Sequence, residues 1–168
     1  MLSIKRKQQK GFTLIELLIV VAIIAALAIS VFVALNPAQR LKDAKDARRT
    51  SDVDTILTAI HASIVDSKGT LPTGLTTSMV ETQISQGVVA AGCGSVATGG
   101  CSVGALVVAC VDLGTPLAKY LKAVPADPSI ANPTAPYKTN YSVTVDANNI
   151  VTVKACGTEG TTNISVSR

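Results

Sequence analysis

A run of 24 residues, from Phe12 to Leu35, contains a single charged side chain, Glu16. As an α-helix rising 1.5 Å per residue, this segment would be about 36 Å long, enough to cross a hydrocarbon layer roughly 30 Å thick. Four basic residues precede it: Lys5, Arg6, Lys7 and Lys10. Because positively charged flanks stay in the cytoplasm, we expect the amino end to remain there and the rest of the chain to be exported.

Glu16 helps to distinguish between the possible kinds of membrane segment. A carboxylate at mid-span costs on the order of 2.5–3.5 kcal/mol, somewhat less near an end, and such residues usually have a functional partner. No Lys or Arg lies between Phe12 and Gln39 to neutralise it. An ordinary signal peptide would be shorter and followed by an Ala-x-Ala site, and a plain signal anchor leaves Glu16 unexplained. A cut between Gly11 and Phe12 would create an α-amino group about one turn from Glu16.

The sequence Lys-Gly-Phe-Thr-Leu-Ile-Glu-Leu-Leu at residues 10–18 resembles the class III signal of type IV prepilins and type II secretion pseudopilins. The resemblance implies that a prepilin peptidase cleaves after Gly11 and methylates the new amino group of Phe12. It also implies that Glu16 pairs with that amine on a neighbouring subunit during assembly. The implied fold is the α+β pilin fold, a long N-terminal α-helix followed by a head that contains a small antiparallel sheet.

We therefore expect a structural subunit of a type IV pilus, not an enzyme, with no cofactor and no metal. It would be stored in the inner membrane as a single-pass protein with its head outside, then assembled into a helical homo-oligomer at the cell surface. The implied partners are the prepilin peptidase, an inner-membrane assembly platform and, before assembly, membrane lipid. Two alternatives remain. One is a pseudopilin of a type II secretion system, and the other is a signal-anchored extracytoplasmic binding domain that keeps residues 1–11.

Composition helps to divide the chain and to exclude partners. The 168 residues suggest one domain, and the net charge of +4 comes from the leader, since 11 basic and 11 acidic side chains remain after it. The basic balance is therefore poor evidence for nucleic-acid binding, and the few aromatic residues argue against base stacking.

We expect a cleaved leader at 1–11, a transmembrane or filament-core helix at 12–35, an amphipathic helix at 36–66 and a globular head at 67–168.

The four cysteines, Cys93, Cys101, Cys110 and Cys156, all follow the apolar segment. An even number of cysteines in an exported region predicts two disulfides, and three pairings are possible. We favour Cys93–Cys101, which would close a glycine-rich loop, together with Cys110–Cys156. Zinc binding is a weaker alternative, because the chain has no Cys-x-x-Cys motif and its single histidine, His61, is distant in sequence.

Local patterns predict the elements of the head. Asn36-Pro37 suits a helix start, and apolar residues at three- and four-residue spacing predict a helix over 38–65 that ends near Lys68-Gly69. Short helices are predicted at 78–87 and 115–122, where a capping box and a Thr-Pro start occur. Strands are predicted at 106–111, at 141–145 and 150–154 as a hairpin, and at 163–167 as an edge strand. Residues 120–128 also resemble, more weakly, a recurring stretch of pilins and major pseudopilins.

No set of residues in the sequence indicates catalysis or metal binding. His61 is interpreted as an ordinary helix residue, and Asp112, Asp127 and Asp146 are expected to have turn and capping roles in preference to a calcium site. The charged run from Asp43 to Asp52 has two interpretations. It is a solvated helix face, a contact between the helices of neighbouring subunits, or both.

Overall fold

The computed structural model describes residues 11–89, 101, 110–160 and 163–168. Two α-helices come first, α1 at Leu14–Leu35 and α2 at Pro37–Asp66. Five strands follow: β1 at Met79–Gln86, β2 at Val111–Asp112, β3 at Tyr137–Val145, β4 at Val151–Ala155 and β5 at Ser165–Ser167. This order confirms the predicted α+β class with a long helical N-terminal region and a C-terminal sheet.

The two helices meet at Asn36, which has a left-handed backbone with φ of 40°. Asparagine tolerates this conformation better than most residues, and Pro37 has the fixed φ that suits the first position of a helix. The carboxyl end of α2 is closed by hydrogen bonds from Lys68 N to Val65 O and from Gly69 N to Ile64 O. This is the bonding pattern of a Schellman motif, so the helix end predicted at Lys68-Gly69 is confirmed.

The chain divides into two compact units, and the second covers Leu41–Arg168. Its sheet has the order β2-β1-β3-β4-β5. The pairs β1–β3, β3–β4 and β4–β5 are antiparallel, whereas β2 is parallel to β1, so the sheet is mixed and not purely antiparallel. The predicted hairpin is present as β3 and β4, and its turn is fixed by Asp146 Oδ1, which accepts from Asn148 N and Ile150 N. The predicted edge strand is also present, as β5.

The core of this unit is formed by one face of α2 and by alternate residues of the sheet. Val53, Ile56, Leu57 and Ile60 of α2 and Ile84, Tyr141, Val143 and Val153 of the strands are all at most 1% exposed. Burying one such aliphatic side chain stabilises a fold by roughly 1.5–3 kcal/mol relative to leaving it in water. The amphipathic pattern predicted for the second helix is therefore confirmed by the side chains that it buries.

Two predicted helices are wrong. Residues 79–86 form strand β1, because Ser78 has a left-handed backbone and donates its N–H to Asp146 O, while Glu81 binds Ser142 instead of capping a helix. Residues 114–120 form a series of turns, held by bonds such as Leu117 N to Leu113 O, and no α-helix is present there. The strand predicted at 106–111 lies outside the described residues except for Cys110 and Val111, and Val111 belongs to β2.

Candidate functional site

Helix α1 exposes its apolar surface on every side. None of its 22 residues is buried in the chain, and the large aliphatic side chains from Leu14 to Leu35 are at least half exposed. In the described part of the chain, the helical region that begins at Leu14 is the one long and apolar enough to cross a membrane. A helix that is apolar all round needs lipid or other protein around it. The apolar helix supports membrane anchoring.

Glu16 lies in the first turn of α1 and closes a capping box with Thr13. Its carboxylate oxygen Oε2 accepts from Thr13 N at 2.9 Å and from Thr13 Oγ1 at 2.8 Å, while Thr13 Oγ1 accepts from Glu16 N at 3.3 Å. Such a box satisfies helix donors that would otherwise lack partners. No ion pair of Glu16 occurs among the described residues. Its negative charge is thus hydrogen-bonded but has no countercharge within that part of the chain.

Gly11 and Phe12 precede the helix in an accessible segment. Phe12 is 91% exposed, and a Cβ added to Gly11 would meet no atom within 4 Å. Packing against the described residues therefore gives no reason for glycine at position 11. The two residues flank the peptide bond at which the sequence predicts cleavage, four to five residues before Glu16.

Arg49 forms the centre of a buried network in the head. Its guanidinium group is fully buried and contacts three carboxylates and one hydroxyl. Nε and Nη2 donate to Asp127 at 2.7 and 3.0 Å, and Nη1 donates to Asp46 at 2.7 Å. Nη2 also donates to Ser129 Oγ at 2.8 Å and to Glu159 at 3.3 Å. The pairing with Asp127 is bidentate, the geometry that suits a planar guanidinium best. A buried charge with this many partners is compensated within the chain.

Three segments distant in sequence meet at this network. The amides of Glu159 and Gly160 donate to the carboxylate of Asp46 at 3.2 and 2.7 Å, and Lys45 Nζ lies 2.9 Å from Glu159 Oε1. Gly157 packs so closely that a Cβ there would stand 3.0 Å from Asp127 Oδ2. The network thus fastens the loops at 127–129 and 157–160 to helix α2.

The network changes the acidity of its members. Burial alone would raise the pKa of Asp127, but hydrogen bonds from Arg49 and Ser129 outweigh burial and hold that pKa below its usual range. The pKa of Glu159 is lowered chiefly by its hydrogen bond with Lys45. Hydrogen bonding to Asp127 raises the pKa of Arg49 above its ordinary value. All three groups are therefore charged at neutral pH, and their role is to hold the head together.

The sequence alone does not predict this network. Both interpretations of the charged run from Asp43 to Asp52 are wrong for Asp46 and Arg49, which are 5% and 0% exposed. The available signal was the spacing of Asp46, Arg49 and Val53, which places two charged residues on the apolar face of α2. Asp127 could not be linked to them from sequence, since the partners are 78 residues apart.

The favoured disulfide pairing is also wrong. Cys101 is bonded to Cys156, with 5.0 Å between their Cα atoms and 55 residues between them in sequence. Cys110 is disulfide-bonded as well, and Cys93 lies outside the described residues. Cys156 directly follows β4, and its N–H donates to Asn140 O on β3. This places its side chain within reach of Cys101 and directly before the loop that covers Arg49.

Asp112 and Asp146 have the turn and capping roles expected of them. Asp112 Oδ1 accepts from the backbone amides of Gly87 and Gly114, both at 2.8 Å, and Oδ2 accepts from Thr115 Oγ1. These hydrogen bonds hold the pKa of Asp112 below its usual range against the opposing effect of burial. Within residues 11–89, 101, 110–160 and 163–168, no group of three or more His, Cys, Asp or Glu is arranged to hold a metal ion.

Comparison with known proteins supports the resemblance at the amino end. Residues 6–32 match the family model described as the prokaryotic N-terminal methylation motif. This motif is the class III signal peptide of type IV pilins, and it supports a pilin-like or pseudopilin protein. In general the motif implies processing by a prepilin peptidase and assembly into a filament. No curated protein and no solved structure matches the chain.

Proposed function

We propose that this chain is the structural subunit of a type IV pilus. The observation that carries the proposal is helix α1, an apolar helix with no buried residue and a single carboxylate that has no ion pair among the described residues. The methylation motif that covers residues 6–32 supports the same conclusion. Before assembly α1 anchors the subunit in the inner membrane, and the head lies outside.

Cleavage between Gly11 and Phe12 begins assembly. The exposed side chain of Phe12 and the open space around Gly11 leave this peptide bond accessible to a prepilin peptidase. The cut removes the basic leader and converts the Phe12 nitrogen into an amine, which is then N-methylated. A cationic group thereby appears within one turn of the carboxylate of Glu16.

Helix packing then replaces lipid around α1. Because lipid and protein interiors are both apolar, the hydrophobic effect contributes little, and close packing and polar pairing decide association. Ala22, Ala25, Ala26 and Ala28 allow neighbouring backbones to approach closely. Glu16 pairs with the Phe12 amine of a neighbour, and this pair fixes the axial register of the subunits more than it adds net stability.

The first test is mass spectrometry of protein sheared from the cell surface. The expected N-terminal peptide starts at Phe12 and carries one added methyl group. A pseudopilin would show the same processing but remain in the cell envelope, so recovery in sheared filaments distinguishes the two. An intact start at Met1, found only in membranes, would contradict the proposal and favour a signal-anchored domain.

The second test compares two polar positions of α1. Glu16→Ala is expected to abolish ordered filaments while leaving the head folded. Ser30→Ala is the matched control, because the hydroxyl of Ser30 is already satisfied by Leu27 O at 2.8 Å within the same helix. Normal filament yield from Glu16→Ala would remove the proposed register role.

A further inference from the structure

Three Asn-x-Ser/Thr triplets lie in the head, beginning at Asn132, Asn140 and Asn163. In an exported protein this pattern is the acceptor for N-linked oligosaccharides, provided that the middle residue is not proline and that the triplet lies at the surface. The first triplet has Pro133 in the middle and does not fit the pattern. The other two fit it, and they have different surroundings in the folded head.

The triplet that begins at Asn140 is built into strand β3. Asn140 Oδ1 accepts from Gln83 Nε2 at 3.2 Å, and Gln83 is only 1% exposed. Ser142 is fully buried, and its hydroxyl donates to Glu81 Oε1 at 2.6 Å. Because the acceptor pattern requires the hydroxyl as well as the amide, burial of Ser142 puts this triplet out of reach of an enzyme while the head is folded. Its polar side chains serve the fold.

The triplet that begins at Asn163 has the opposite arrangement. Asn163 and Ser165 are both exposed, and neither side chain has a hydrogen bond to another residue in the described part of the chain. Ile164 between them is 8% exposed and belongs to the core, and its carbonyl accepts from Ala155 N at 2.9 Å. The middle residue thus fixes the triplet to the sheet, while the amide and the hydroxyl that the pattern requires stay accessible.

Open space lies directly beside the amide of Asn163. Asn163 and Ser165 line one side of a groove of about 500 Å³, and Ala47 and Thr50 of α2 line the other. All four of these residues are exposed, so a sugar joined to Asn163 Nδ2 can enter the groove without moving a buried side chain. The link also leaves the sheet intact, since the pairing of β4 with β5 begins at Ser165 and uses no side-chain amide.

We propose that Asn163 is the acceptor of an N-linked oligosaccharide, a proposal that rests on the export of the head under the proposed function. The donor class is an oligosaccharide joined to a polyprenyl pyrophosphate, and the enzyme class is an oligosaccharyltransferase that acts outside the cytoplasm. A bond forms between Asn163 Nδ2 and the anomeric carbon of the first sugar, while the bond from that carbon to the pyrophosphate oxygen breaks. The amide loses one proton, and the polyprenyl pyrophosphate leaves with the electron pair.

The test locates the sugar on peptides of the full chain purified from its own cells. Cleavage after lysine and arginine separates the three triplets into residues 123–138, 139–154 and 155–168. The 155–168 peptide should carry an added oligosaccharide mass, and an amidase that releases N-linked sugars should convert Asn163 into aspartate. The other two peptides should have their unmodified masses. An unmodified 155–168 peptide, or an added mass that the amidase does not remove, would overturn the proposal.

A second measurement tests whether the fold selects this triplet. The full chain in detergent micelles is incubated with a polyprenyl-pyrophosphate oligosaccharide and an oligosaccharyltransferase that requires only Asn-x-Ser/Thr. With the disulfides intact, modification of 139–154 should stay below about one hundredth of that of 155–168, because core strands open rarely. After reduction and denaturation both peptides should be modified, and 123–138 should not. Equal modification of 139–154 and 155–168 in the folded protein would contradict the assignment to Asn163.

Variants separate the two side chains, and the outcomes separate the two proposals. Asn163→Gln and Ser165→Ala should each abolish modification of 155–168, whereas Ser165→Thr should retain it, with amide exchange in β3 unchanged as evidence of folding. Modification that persists in Asn163→Gln would refute the acceptor role. Glycosylated protein that starts at Met1 and stays in the membrane would refute the pilus subunit and support the Asn163 site. Sheared filaments with an unmodified 155–168 peptide would refute the Asn163 site alone.

Discussion

Helix α1 and the head differ in how the negative charge of a carboxylate is compensated. In α1, Glu16 stands in an exposed apolar helix with hydrogen bonds from Thr13 and no ion pair among the described residues. In the head, Asp127 is fully buried and is held by two bonds from Arg49. The carboxylate in the head is thus compensated within the chain, whereas the countercharge of Glu16, under the proposed function, comes from a neighbouring subunit.

The largest effect is expected when the internal countercharge of Asp127 is removed. Arg49→Ala should destabilise the head by about 3–5 kcal/mol, because it leaves Asp127 buried without its partner. The free energy of unfolding can be measured from amide exchange in β3. Arg48→Ala is the control. The Arg48 side chain is 65% exposed, and its Nε lies 3.8 Å from Asp52 Oδ2, a long ion pair in contact with solvent. The loss of stability in this variant should stay below about 1 kcal/mol. Equal effects of the two variants would refute the central role of Arg49.

The disulfide next to the network should have the second largest effect. The double variant Cys101→Ala with Cys156→Ala should lower the stability of the head by about 2–4 kcal/mol, because the bridge closes a long loop of the unfolded chain. Amides at 159 and 160 should exchange faster than in the unaltered protein, while those of α1 should not. Unchanged exchange at Gly160 would show that the bridge does not support the loop over Arg49.

Acid should weaken the head by protonating two of its carboxylates. Because the pKa values of Asp127 and Glu159 are lowered in the folded head, the unfolded chain binds more protons. Their stabilisation is present above about pH 4 and is lost as the pH falls through the folded pKa values, with a maximum slope of about 1.4 kcal/mol per pH unit for the buried Asp127.

Two variants test the sign of this dependence. Asp127→Asn should make stability less dependent on pH below about pH 4. Burial raises the pKa of Asp52, so Asp52 contributes a slope of opposite sign just above that range. Asp52→Asn should therefore steepen the loss of stability in acid, as measured by denaturant titration at several pH values. The same slope in both variants would be inconsistent with this assignment.

The smallest expected effect is at the start of α1. Thr13→Val removes the cap and should weaken the first helical turn by about 1 kcal/mol without altering the head. Amide exchange at Glu16 in micelles measures the change. Thr55→Val offers a control, because the hydroxyl of Thr55 bonds Ser51 O inside α2 and caps nothing. A loss of head stability in Thr13→Val would contradict this prediction.

Local patterns predicted the parts of the fold that depend on local chemistry. Residue spacing and turn preferences over short stretches predicted helices α1 and α2, the helix start at Asn36-Pro37 and the β3–β4 hairpin with its turn at Asp146. Strand β1 could not be recognised in this way, because the Ser78–Glu81 spacing imitates a helix cap. Its true conformation is set by pairing with β3, more than fifty residues later.

The site was predictable at the amino end and not in the head. The methylation motif is contiguous, so Gly11, Phe12 and Glu16 could be named from sequence, and their roles in processing and assembly stay predictions. The contacts of Arg49 and the partner of Cys156 depend on which loops the folded chain brings together. The favoured pairing gave the wrong partner for Cys156, because loop length alone does not determine which cysteine side chains meet.

The Arg49 network also determines where foreign sequence could be placed in this protein. An epitope inserted at 157–160 would displace amides that bind Asp46, and it would meet the close approach of Gly157 to Asp127. Residues 131–136 are exposed throughout and follow the last contact of that loop with Arg49. For insertion of a foreign peptide, residues 131–136 are the tolerant position and residues 157–160 are the forbidden one.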